Sequence, residues 1–203
     1  CFYVFDAAGV DASVEDAIAS IESVDTSYAA TYYPWMRIRD QSRNKQVRVP
    51  PSVLIPRVYA FNDQTAAEWY APAGFERGGV PEAISAVVRL RREDRDELYR
   101  NRVNPIAQFP GQGVSVWGQK TLQTRASALD RVNVRRLLIR VKKFIASTSR
   151  FLVFEQNVPE TRNRFLNIVN PFLDQVKQQN GLYAFRVKMN ADNNPPEVVD
   201  RNK

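Results

Sequence analysis

Apolar positions recur along the chain with two different periods, and each change of period marks an element. Residues 1–5 are a short apolar and aromatic run, too short for a helix, and are expected as a buried strand. Ser13 and Asp16 are spaced as a capping box. Val14, Ala17, Ile18, Ile21 and Val24 follow at helical spacing, which predicts a helix over 13–24. Aromatic and β-branched residues over 28–38 predict a strand interrupted at Pro34, followed by a polar turn and a return strand over 46–49. Pro50-Pro51-Ser52 stops one element and starts another, a helix over 53–62 with Pro56 near its first turn. A Pro- and Gly-rich loop over 71–81 leads to a strand or strand pair over 83–90 and a highly charged surface helix over 91–104. Strands over 106–109 and 114–117 flank the turn Pro110-Gly111-Gln112-Gly113 as a hairpin. The clearest helix covers 132–147, where Val134, Leu137, Leu138, Val141 and Ile145 form one stripe. Beyond it the pattern predicts a strand over 151–155 and a helix over 161–180, kinked or split at Pro171 and closed by Gly181. An alternating strand over 182–189 and a polar extended tail over 190–203 complete the chain.

Strands and helices alternate in the second half, which argues for an α/β fold, a layered mixed β-sheet flanked by helices. No linker divides the chain, so residues 1–203 read as a single domain with an irregular insertion over 63–82. The composition is ordinary for a globular protein, with 44% hydrophobic residues, and 29 Lys+Arg against 22 Asp+Glu give a net charge of +7. Cys1 is the single cysteine, so no internal disulfide can form. The chain has no histidine, which removes Ser-His-Asp and Cys-His catalysis and His-ligated zinc. No apolar run approaches the roughly 20 residues that span a bilayer. The chain opens with Cys-Phe-Tyr-Val-Phe instead of Met, inside an expected strand, and so reads as a trimmed piece of a longer protein.

Several constellations resemble sites and are better explained without one. Gly111-Gln112-Gly113 lacks the third glycine and the following helix of a dinucleotide loop, and fits a hairpin turn. Gly113 and Gly118 have the Walker spacing, but Gln119 separates Gly118 from Lys120-Thr121 and a strand occupies the loop. Glu93, Asp94, Asp96 and Glu97 alternate with Arg91, Arg92, Arg95 and Arg100, which predicts solvated ion pairs along one helix. Tyr32-Tyr33-Pro34-Trp35 fits packing in a core strand. No catalytic residue, metal site or cofactor emerges. The unexplained feature is a stripe of one sign: Arg131, Arg135, Arg136, Arg140, Lys142 and Lys143, with no acid between Asp130 and Glu155. Like charges repel, so this row is expected to face an acidic partner. A nucleic-acid-binding α/β module is the alternative reading, although no stacking aromatics are interleaved with the cations.

The motifs form a familiar series. Tyr32-Tyr33-Pro34-Trp35, Val49-Pro50-Pro51-Ser52, Trp69-Tyr70-Ala71-Pro72-Ala73-Gly74 and Asn104-Pro105-Ile106 come first. Phe109-Pro110-Gly111-Gln112-Gly113, Val116-Trp117-Gly118-Gln119-Lys120-Thr121-Leu122, Val132-Asn133-Val134-Arg135-Arg136-Leu137, Phe154-Glu155-Gln156-Asn157 and Asn194-Pro195-Pro196-Glu197 follow. In this order the series resembles the C-terminal half of contractile tail sheath proteins of myophages and contractile injection systems. The resemblance implies a non-enzymatic structural subunit that stacks in hexameric rings around an inner tail tube and contracts to drive the tube through a membrane. It implies self-association by strand exchange through terminal arms, which are missing or truncated here, and contacts with baseplate and tail terminator proteins. It implies a place in the virion tail after assembly in the host cytoplasm, or in the bacterial cytoplasm for an injection system, with no membrane insertion and no specific nucleic acid. The basic helix is then expected to face an acidic tube.

Overall fold

The computed structural model describes residues 1–6 and 8–200. Where the sequence reads as one domain, the described chain groups into two compact units, Cys1–Leu137 and Leu138–Lys203.

The first unit is built on a four-stranded sheet in the order β1 (Tyr3–Phe5), β2 (Ala29–Tyr33), β6 (Val103–Phe109), β7 (Gly113–Val116). The first three strands are parallel and β7 returns antiparallel to β6. Helix α1 (Val14–Ala19) makes the crossover from β1 to β2. It starts where the sequence predicts, because Ser13 and Asp16 exchange hydrogen bonds in a capping box at 3.1 and 3.0 Å. All five residues of β2 are buried, as a central strand covered on both faces requires. Their alternation feeds two cores. Ala30 and Tyr32 point into one with Leu54, Ile55 and Val58 of α2 (Pro51–Thr65), while Ala29 and Tyr33 point into the other with Ala17, Ile21 and Leu98.

A second sheet, antiparallel in the order β4-β3-β5, comprises β3 (Met36–Asp40), β4 (Lys45–Val49) and β5 (Ala83–Ala86). Between β2 and β3 the Tyr33–Pro34 peptide is cis. A short helix α3 (Gly74–Arg77) sits in the expected loop, and α4 (Arg92–Arg100) precedes β6. Strand β6 begins earlier than the pattern suggests and runs through Pro105, because buried Asn104 ties it in. The Asn104 amide donates to the carbonyls of Thr31 and Lys120 at 3.0 and 2.8 Å, and its oxygen accepts from the Lys120 N–H at 2.6 Å. The hairpin turn holds: Gly111 and Gly113 adopt φ of +75° and +74°, which a β-carbon would strain. Lys120 and Thr121, the remainder of the Walker-like pattern, are structural. Lys120 bridges to Arg131, and the buried Thr121 hydroxyl donates to the carbonyl of Leu129.

Helix α5 (Val132–Ser149) runs across the boundary between the units. The second unit packs Val141, Phe144 and Ile145 against Phe165, Val169 and Leu173 of α6 (Pro159–Gln178), with Phe144 stacked on Phe172 at 3.9 Å. Helix α6 is continuous through Pro171, so it is not split there. It closes as a Schellman motif with Asn180, not Gly181, in the left-handed region at φ 60°. The amides of Asn180 and Gly181 donate back to Lys177 and Val176. A five-residue helix, α7 (Pro196–Asp200), lies in the expected tail.

Two expected strands are absent. Residues 151–155 form a 3-10 turn and a bend in which Phe151, Val153 and Phe154 are exposed, Phe154 completely and at φ 73°. Residues 182–189 keep the strand alternation, with Phe185, Val187 and Met189 on the core and Arg186 and Lys188 outward. Their backbone amides make no backbone hydrogen bond among the described residues. Alternation reports that one side is buried; a ladder needs a neighbour as well.

Candidate functional site

The six cations of the basic stripe divide into two groups of three. Arg131, at the start of α5, pairs with Asp130 at 3.2 Å, donates to the Tyr99 hydroxyl and lies over the Tyr99 ring. Arg135 is only 6% exposed. Its guanidinium donates to the Ser27 hydroxyl and stacks 4.1 Å from the Tyr28 ring centroid, and its Nε has no partner among the described residues. Arg136 pairs with Asp63 of α2 at 2.6 Å and lies 4.5 Å from the Tyr59 ring centroid. The single row of six cations expected to face an acidic partner is therefore not formed, since Arg131, Arg135 and Arg136 are engaged within the first unit. The stem of arginine is apolar and its planar head stacks on aromatic faces, so a run of arginines can cover a core edge as well as face water. The acid that serves Arg136 lies 73 residues earlier in the chain, where a local scan of charge does not reach.

Arg140, Lys142 and Lys143 are exposed on the remainder of the helix. Lys142 and Lys143 are the part of the stripe still open to a partner.

Beneath Arg136, the hydroxyls of Tyr32 and Tyr59 hydrogen-bond to each other at 2.6 Å. Burial pushes the ionisation of both well above the ordinary tyrosine range, with the nearby Arg136 opposing it weakly. Tyr32 and Tyr33 are core residues, as the packing reading expects, and the Trp35 indole donates to the carbonyl of Ala8.

The expected ion pairs along α4 are missing: among the described residues no carboxylate of that helix comes within 4 Å of its arginines. Asp94 accepts from the Arg91 backbone N–H at 2.7 Å, and Arg95 lies over the Phe109 ring. That ring belongs to an exposed cluster with Phe75 and Trp117 that the sequence reading passes over. Its members are far apart in the chain, and none sits in a periodic pattern. Among the described residues no three His, Cys, Asp or Glu side chains gather as a metal site, and no helix is long and apolar enough to cross a membrane. Exposed cations and exposed aromatic rings suit docking.

Comparison with known proteins agrees with this. A family profile described as the phage tail sheath protein central domain matches residues 1–122. The tail sheath protein of Vibrio phage KVP40 is 36% identical over 195 residues, which is 96% of this chain and 29% of that protein. The tail sheath protein of Enterobacteria phage T4 is 32% identical over 185 residues, 89% of this chain and 28% of that protein. The chain thus spans less than a third of the curated relatives it matches. Among solved structures, the sheath complex of the extracellular contractile injection system PVC in its contracted state superposes with a TM-score of 0.78. It is 29% identical and covers 92% of this chain and 51% of that one. The helical sheath of the anti-feeding prophage in its contracted state gives 0.72 at 27% identity, over 92% of this chain and 49% of that one. A profile match over more than half the residues, joined to a shared fold over nine-tenths of them, makes this chain a member of the phage tail sheath family.

Proposed function

We propose that the chain forms the core of a structural, non-catalytic subunit of a contractile sheath. The subunit polymerises in six-fold rings around an inner tube and shortens to drive the tube through a membrane. The observation that carries this is the match of residues 1–122 to the tail sheath central domain together with the superposition on a contracted injection-system sheath. Work would come from the difference in packing between two assembled states, which needs no hydrolysis by the subunit. Neighbouring subunits are joined by terminal arms that add strands to one another. The outer edge of β1 and the strand-like backbone of 182–189, whose amides make no backbone hydrogen bond among the described residues, both suit such addition. Baseplate and tail terminator proteins close the ends. The sheath belongs to the phage tail, assembled in the host cytoplasm, or to the corresponding injection device in a bacterial cytoplasm.

The tube contact falls to Arg140, Lys142 and Lys143, whose exposed charges can meet an acidic tube surface. Such pairs are weak singly, and a ring multiplies them. A nucleic-acid role loses ground because Arg131, Arg135 and Arg136 are engaged inside the fold.

Electron microscopy of the full-length subunit tests the proposal. Tubes or stacked rings are expected. A protein that stays monomeric and instead shifts a random oligonucleotide at low salt would overturn it.

A further inference from the structure

The β3–β4 hairpin carries a charge that the fold leaves unbalanced. Residues 36–49 hold Arg37, Arg39, Arg43, Lys45 and Arg48 against the single acid Asp40. The register places these charges. Arg37 lies directly opposite Arg48 on β4 and opposite Ser85 on β5, and Arg39 lies opposite Gln46. Side chains alternate between the two faces of a sheet, so Arg37, Arg39 and Arg48 share one face. Ile38, Val49 and Ala83 take the other face and pack on the core that holds Leu54 and Ile55. Arg39 and Arg48 are exposed and Arg37 is half-buried.

Little within the chain offsets these cations. Asp40 is engaged in the turn, where its carboxylate accepts from the Ser42 N–H and hydroxyl at 2.9 and 2.7 Å. Arg48 pairs with Asp11 at 3.1 Å, and both groups are largely exposed, so the pair is weak. Arg39 donates through Nε to the neutral Asn44 side chain at 2.9 Å. Among the described residues Arg37, Arg39, Arg43 and Lys45 have no carboxylate within 4 Å. Arg135 and Arg136 of α5, by contrast, find partners inside the fold. Like charges directly opposite one another destabilise a strand pair. Arg37 and Arg48 thus work against the hairpin that carries them, and stability of the free chain does not account for them.

We propose that this face of the hairpin is a docking surface on which Arg37 and Arg39, with Arg48 beside them, hold carboxylate side chains of another protein chain. A guanidinium is planar and meets a carboxylate with two parallel hydrogen bonds. Arg48 already takes a carboxylate here, that of Asp11. Nucleic acid fits less well, because the face positions Arg37, Arg39, Gln46, Arg48 and Ser85 include no ring for an unpaired base to stack on. A bound carboxylate lies between guanidiniums that repel each other in the free chain, so binding relieves the repulsion. Charge of one sign also steers an acidic partner to this face and turns basic ones away. The surface requires only the folded chain and uses different residues from the tube contact on α5.

Labelled poly-L-glutamate, titrated with the full chain at low salt and followed by fluorescence anisotropy, tests this. Lys142→Ala with Lys143→Ala first takes the α5 lysines out of the measurement. In that background Arg37→Gln with Arg39→Gln should weaken binding by about fivefold or more, as the loss of two exposed ion pairs would give. Arg37→Lys with Arg39→Lys keeps the charge and should bind more tightly than the Gln pair. Arg37→Gln alone should melt no lower than wild type at low salt, and any gain should fade as salt screens the repulsion. Poly-L-glutamate that does not bind, or binds the Gln pair as well as its parent, overturns the proposal. A fall in melting temperature in Arg37→Gln overturns it too, since it makes Arg37 structural. So does a short DNA duplex that binds more tightly than poly-L-glutamate through the same two arginines, which would make the face a nucleic-acid surface.

Discussion

Tyr32 and Tyr59 show how tightly single residues are committed. Each hydroxyl has the other as its buried partner, so Tyr59→Phe leaves the Tyr32 hydroxyl without its bond. A buried orphan of this kind costs about 1–3 kcal/mol, and the double variant to Phe should recover part of that, measured by denaturant melts. Burial raises both ionisations, so these tyrosines stabilise the fold below their ordinary value near 10. That contribution is lost as pH rises beyond it. An absorbance titration should therefore show late tyrosines, Tyr32 and Tyr59 and with them the buried Tyr33, the first two ionising only with alkaline unfolding. Ionisation of all tyrosines together before unfolding would contradict the pairing. At the same scale the arginines of α5 explain the main error in reading the site. A cation in sequence is taken for a surface group, yet Arg135 meets a serine hydroxyl and a tyrosine face brought in from residues 27 and 28.

At the scale of elements, what was legible was local. The Ser13–Asp16 box, the Gly111 and Gly113 hairpin and the apolar stripe on α5 each lie within a short stretch of chain, about three helical turns at most, and each formed where the pattern put it. Strand pairing is not local, so the apolar run over 151–155 and the alternation over 182–189 were read as strands without a partner to complete them. The aromatic cluster was hidden for the same reason, since Phe75 and Trp117 are 42 positions apart in the chain. The cap of α1 supplies a prediction. Ser13→Ala should cost about 1 kcal/mol of stability in thermal melts. The Ser13 backbone N–H, followed by its hydroxyl, holds the Asp16 carboxyl below its ordinary range. The cap therefore contributes at neutral pH and is lost as pH falls below about 4, where Asp16 takes up a proton. Amide exchange over 14–20 should quicken in that acid range in wild type, and should show no such step in Asp16→Asn.

For the whole molecule, the exposed end of the basic stripe makes a claim about function separate from the fold. Lys142→Glu with Lys143→Glu in the full-length subunit should leave melting within about 0.5 kcal/mol of wild type, as surface changes do. The sheaths that form should be empty, or assembled only in the short state. Normal extended sheaths filled with tube, seen by electron microscopy, would place the tube contact elsewhere.

The exposed bend after α5 has a practical consequence. Phe154 and Tyr183 project fully into solvent from backbone that lies outside any helix or strand, and both belong to the second unit. A protease that cuts after aromatic residues should nick the free subunit first at these two bonds and leave the stretch from Cys1 through α5 in one piece. The order of bands on a digestion gel then becomes a footprint. If polymerisation covers these loops, the early bands vanish from the assembled form while later ones persist, which reports burial of the second unit without any mutation.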